Sequence, residues 1–121
     1  MHADDLTGMR LWVDDERPPP DSTWVWAKTA PLALTYWMQE NVTELSLDHD
    51  LGDGGDTREL ARNILGMAQA GQMSPPRWYV HSANPVGAEY LTSILEQADR
   101  HWRRNATQKH LAASYAQRCA S

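Results

Sequence analysis

Three short apolar runs, each ended by a polar cluster, constrain this chain more than any other feature. Leu11-Trp12-Val13 runs into Asp14-Asp15-Glu16-Arg17, Leu45-Ser46-Leu47 into Asp48-His49-Asp50, and Trp78-Tyr79-Val80 into His81-Ser82-Ala83-Asn84. Such runs read as buried strands, and in open α/β sheets ligands gather beyond the carboxyl ends of the strands. If the three are parallel neighbours, five carboxylates, two histidines, an arginine, a serine and an asparagine converge on one rim.

The segments between the runs have helical period. Thr29 is a plausible cap and Pro31 suits a first turn, followed by a stripe of Ala30, Ala33, Leu34, Trp37 and Met38 that stops near Asn41. Asp56 with Glu59 has the spacing of a capping box, then Leu60, Ala61, Ile64, Leu65 and Ala68 form a stripe that Gly71 ends. Asn84-Pro85 opens a third helix, with Leu91, Ile94, Leu95, Ala98 and Trp102 on its apolar side. Residues 105–118 suggest one further helix, capped by Thr107. Strands are expected over 10–15, 23–28, 44–51 and 77–82. Pro18-Pro19-Pro20 cannot lie inside a helix, so the first connection is a stiff connector in place of a crossover helix. The expectation is an α/β fold with a mostly parallel sheet of about four strands. Residues 1–9 form a leader, 10–103 the domain, and 104–121 a helical or flexible tail.

With 121 residues the chain makes one domain, able to bury a core without disulfides. Its one cysteine, Cys119, excludes a disulfide framework and fits a reducing compartment. No apolar stretch reaches a membrane span, and the acidic start lacks the build of a signal peptide, so a cytoplasmic setting without membrane contact is expected. Residues 1–100 carry 7 basic and 16 acidic side chains, whereas 101–121 carry Arg103, Arg104, Lys109 and Arg118 and no acid. An acidic body argues against general nucleic-acid binding, and the basic tail reads as a solvated segment.

An acidic pair after the first strand, an aspartate after the third and a hydroxyl residue after the fourth resemble the plan of response-regulator receiver domains. Here those positions are Asp14-Asp15, Asp48 and Ser82. The receiver's lysine after a fifth strand has no counterpart. The strings 11–18, 47–52 and 80–87 resemble more closely a divergent branch, the cyclic-phosphate-processing receiver domains. That resemblance covers roughly residues 9–100. It implies a receiver-like (flavodoxin-like) fold and work on a cyclic phosphate, either a 2′,3′-cyclic phosphate on an RNA end or a cyclic nucleotide.

The chemistry of the residues is compatible with that activity. Asp14, Asp15, Asp48 and Asp50 are hard oxygen ligands suited to Mg²⁺ or Mn²⁺. Imidazole gives and takes protons readily at neutral pH, so His49 and His81, with Asp48, are the candidate catalytic groups, as acid and base or as metal ligands. Strand alternation would point His49 away from Asp48 and Asp50 unless the backbone turns irregular there. Arg17, Ser82 and Asn84 are the candidate phosphate contacts; Asn84 equally reads as a helix cap, and Arg17 as a surface partner of Glu16 or Asp21. The segment from Asp50 to Asp56 lacks the frame of a calcium loop and reads as a mobile glycine loop over the site. Trp12, Trp24, Trp26 and Trp78 read mainly as packing, with the stacking of a base by one of them as the alternative. The leading reading is a metal-assisted phosphoesterase. A phospho-accepting receiver with Asp48 as acceptor, and a non-catalytic nucleotide- or phosphate-binding module, stand beside it.

Overall fold

The computed structural model describes the backbone of residues 8–120 and the side chains of residues 8–114. In chain order the elements are β1 (Met9–Val13), β2 (Trp24–Ala27), α1 (Ala30–Gln39), β3 (Val42–Leu47), a 3₁₀ turn (Gly52–Gly54), α2 (Arg58–Gln69), β4 (Arg77–Val80) and α3 (Pro85–Ala120). The four strands form one sheet in the order β2-β1-β3-β4, every neighbouring pair parallel. This is the expected receiver-like α/β architecture.

The order of the strands dictates where the helices lie. The chain steps from β2 over β1 to β3, and then from β3 to β4, always in the same direction across the sheet. Right-handed crossovers in one direction place α1 and α2 on one face. The helix α3 packs along α2 on that face, where Leu91, Leu95 and Ala98 join Trp37, Leu60, Ile64, Leu11, Val13, Leu45 and Leu47 in one buried core. Only the step from β1 to β2 runs the other way. It is the proline connector, which carries no helix, so the second face of the sheet has no helical cover among the described residues.

Local chemistry explains most element ends. The Thr29 hydroxyl accepts the Leu32 N–H, with Pro31 in the first turn of α1, and Gly71 takes φ +70° after α2. Several expectations are corrected. The third strand stops at Leu47, because Asp48 and His49 turn their carbonyls to Thr57: its hydroxyl donates to Asp48 O (2.7 Å) and its N–H to His49 O (3.0 Å). Asp56 and Glu59 form no capping box. Thr57 stands at the N-cap without a side-chain bond to the helix, and Asp56 instead takes the N–H and guanidinium of Arg58. Met38 lies exposed beside the buried α1 stripe. Residues 105–118 are not a separate helix: α3 continues from Pro85 to Ala120, about 54 Å at 1.5 Å per residue. Asn105 fastens it to the end of α2 through Ala68 O, at 2.8 Å. Of the expected leader, residues 1–7 lie outside the described residues, and Met9 already belongs to β1. No helix of the described residues is long and apolar enough to cross a membrane.

Candidate active site

Three polar residues are set level by the last rung of the sheet. Asp14 N–H donates to Ala27 O (3.1 Å), Asp48 N–H to Val13 O (2.9 Å) and His81 N–H to Leu47 O (3.0 Å). Each follows a core-facing residue, so alternation turns all three toward the uncovered face. The crevice between β1 and β3 is also where the chain reverses its direction of travel across the sheet, the usual binding position in open α/β sheets.

Asp14, Asp15 and Asp48 each offer a carboxylate oxygen, and the three oxygens lie within 4.8 Å of one another. Asp14 is only 1% exposed. Its Oδ1 accepts the N–H groups of Glu16 and Arg17, both at 2.8 Å, and its Oδ2 faces His81 Nε2 at 2.9 Å. Burial alone would push this carboxyl up. The N–H groups of Arg17 and Glu16, together with the His81 imidazole, overcome it and hold Asp14 below the usual carboxylate range. Gly52, at φ +60°, lets the loop pass under Asp15: a Cβ there would stand 3.1 Å from Asp15 Oδ2. Packing three carboxylates this closely is unfavourable without a cation, and an all-oxygen donor set suits Mg²⁺ or Mn²⁺ rather than softer metals.

His81 is held on three sides. Its ring stacks on Trp12, with centroids 4.1 Å apart and planes 8° from parallel. Against an ionised Asp14, the neutral ring carries its proton on Nε2, and Nδ1 accepts the Ser46 hydroxyl at 2.8 Å. Ser46 is a site residue that the strand-end pattern does not reveal. Its signal was a lone polar residue between two buried leucines, which alternation sends to the opposite face.

The two histidines are not side by side. His49 turns to the helical side, against the first turn of α3, where a Cβ on Gly87 would stand 2.4 Å from His49 Cγ. Its Nδ1 is buried with no hydrogen-bond partner. Asp50 stands outside the carboxylate group: its carboxylate accepts the Gly52 N–H, and its backbone pairs antiparallel with that of Asp56 at the base of the glycine loop. Asn84 caps α3 by accepting the Val86 and Gly87 N–H groups, and Ser82 Oγ accepts the Asn84 N–H. Those bonds use acceptors only, leaving the Ser82 hydroxyl proton and the Asn84 amide as donors for an anion. The exposed Arg17 follows in the connector, whose path is fixed by Trp12 Nε1–H donating to Arg17 O at 2.8 Å. A groove of about 860 Å³ lies elsewhere, between the first turns of α1 and α2, lined by Pro31, Leu34, Gly54, Arg58 and Arg62 among others; the three carboxylates are not part of it.

A family model described as the cyclic-phosphate processing receiver domain matches residues 9–97. No curated protein and no solved structure matches the chain.

Proposed function

Because the chain belongs to the cyclic-phosphate processing receiver domain family, we propose that it hydrolyses a cyclic phosphate, on an RNA end or a nucleotide, at the β1/β3 crevice with a divalent cation. The observation that carries this reading is the joining of the Asp14, Asp15 and Asp48 oxygens to His81 through Asp14 Oδ2. Opening the ring consumes one water. Its oxygen bonds to phosphorus, one ester P–O bond breaks, and the departing oxygen takes a proton. Asp14, Asp15 and Asp48 would hold the cation, Mg²⁺ or Mn²⁺, which when bound would supply positive charge near the phosphoryl oxygens. His81, when protonated on both ring nitrogens, would give a proton to the departing oxygen and regain one from the attacking water, and His49 offers a second imidazole from the helical side. Arg17, Ser82 and Asn84 orient the phosphate from the two neighbouring loops.

The test is incubation of the purified chain with 2′,3′-cyclic nucleotides and cyclic dinucleotides, with Mg²⁺, Mn²⁺ or chelator, read by mass spectrometry. The expected result is cation-dependent addition of one water, lost in His81→Ala and Asp48→Asn. Binding with recovery of every ligand unchanged would refute catalysis and leave a binding module. Asp48, level with Asp14 on the next strand, also has the place of a phosphoacceptor. The chain has two lysines, however. The Lys28 ammonium is folded over Trp26, 4.3 Å from the ring centroid, and Lys109 lies beside Gly71. Neither serves an acyl phosphate at Asp48, so acetyl phosphate is expected to leave the intact mass unchanged.

A further inference from the structure

The uncovered face of the sheet has an unusual composition. Alternation sets Arg10 and Trp12 of β1, Trp24 and Trp26 of β2, Glu44 and Ser46 of β3, and Arg77 and Tyr79 of β4 on it, because their neighbours Leu11, Val13, Ala27, Leu45 and Leu47 are wholly or almost wholly buried in the core. None of these eight residues is aliphatic, so the face is poorly suited to a helix or a second apolar sheet. Its aromatic floor carries two cations and one stacked imidazole. The Arg10 guanidinium lies 4.1 Å above Trp24, the Lys28 ammonium 4.3 Å above Trp26, and the His81 ring 4.1 Å above Trp12. Trp12 and Trp26 are fixed through their indole N–H groups to Arg17 O and Asp14 O, at 2.8 Å and 2.7 Å. Tyr79 is 46% exposed. Within the strands the face holds Arg10 and Arg77 against Glu44, which is ion-paired with Arg10 at 2.8 Å, and at its rim Lys28 stands level with Asp14 and Asp48.

From Asp14 back to Arg10 is about 13 Å along β1, and the four strands span about 14 Å. That area accommodates two or three unstacked nucleotides, as in other uncovered four-stranded sheets whose aromatic residues stack bases. We propose that this face is the platform for single-stranded RNA whose 3′ end carries the cyclic phosphate. The terminal phosphate lies at the carboxylates, the preceding bases stack on Tyr79 and on the Arg10 plane, and Arg77 and Lys28 meet the backbone phosphates. The platform names the substrate class for the activity proposed above and rests on that reading for the position of the terminal phosphate. The exposed Tyr79 ring and the exposed cations of Arg77 and Lys28 make the face itself an RNA site without any turnover.

The test separates the two. Binding of a fluorescein-labelled single-stranded RNA with a 3′-phosphate, which has no cyclic ester to open, is followed by anisotropy in Mg²⁺. Tyr79→Ala and Arg77→Glu, both at exposed positions, are each expected to weaken binding roughly tenfold, within the range for loss of one base stack or one phosphate contact. Raising salt from about 50 mM to about 200 mM is expected to weaken it about tenfold, as for two to three phosphate contacts. Duplex RNA is expected to compete poorly. Binding without any turnover of the cyclic form would support the platform while refuting the phosphoesterase. Turnover of cyclic mononucleotides with no RNA affinity, or with affinity untouched by either substitution, would refute the platform and spare the phosphoesterase. Self-association that Tyr79→Ala abolishes, without RNA affinity, would refute the platform by assigning the face to a second copy.

Discussion

Asp48→Asn separates a cation site from a cluster of solvated acids, because the two give opposite signs. The Asp48 oxygen lies within 4.8 Å of the oxygens of both Asp14 and Asp15. Two unit charges at that distance repel by about 0.9 kcal/mol at the dielectric of water and about 3.5 kcal/mol at an effective value of 20. Asp15 and Asp48 are half-exposed, so solvent screening brings the sum of the two pairs toward the lower limit, about 1–2 kcal/mol. Asparagine keeps the shape and keeps an oxygen for the His49 N–H, now 2.7 Å from Asp48 Oδ1, though without the charge. Weakening that bond costs about 0.5 kcal/mol. The net expectation in chelator is a stabilisation of about 1 kcal/mol, or about 4 °C in Tm for a chain of this size. Mg²⁺ at about 100 times its dissociation constant should stabilise the wild-type chain by about 2.7 kcal/mol, and the variant far less. Differential scanning fluorimetry in chelator and across a Mg²⁺ and Mn²⁺ series reads both. Destabilisation by Asp48→Asn in chelator, or a wild-type Tm indifferent to either cation, would refute the reasoning.

Further perturbations probe the supports of the site. Asp14 is held below the usual carboxylate range when folded, so its contribution to stability is present above that range and lost as pH falls through it, below about pH 4; the stability difference between wild type and Asp14→Asn, measured by urea unfolding, should shrink on acidification, and a constant difference would contradict the assignment. Gly87→Ala gains about 1 kcal/mol of helix propensity but places a methyl against the His49 ring, so it should shift the His49 NMR resonances and lower activity. Gly66→Ala, on α2 with nothing near its Cβ, should instead raise stability by about 0.5–1 kcal/mol and leave activity alone. Trp37→Ala removes a ring that is 1% exposed and bonded to Asn63 at 2.8 Å, and should cost about 3–5 kcal/mol in urea unfolding.

The sequence alone determined that there are four strands, where the first two helices run, and the edge at which chemistry gathers. Apolar runs such as Leu45-Ser46-Leu47 and stripes such as Leu91, Leu95 and Ala98 are local signals of burial, and Pro18-Pro19-Pro20 forbids a helix wherever it lies. Asp14, Asp15 and Asp48 were legible as a group because each ends or follows a strand. What the sequence could not decide is on which side of the sheet each of these side chains stands. The backbone leaves the strand after Leu47 because Thr57, nine residues beyond Asp48, takes its carbonyl, and that bond sends His49 under α3 while Asp50 joins the glycine loop. The stacking of His81 on Trp12 likewise needs β4 and β1 brought to either side of β3, a matter of strand order. The bare aromatic face came from the same source: every Trp and Arg on it was visible in the chain, but only the direction of the crossovers left them uncovered together.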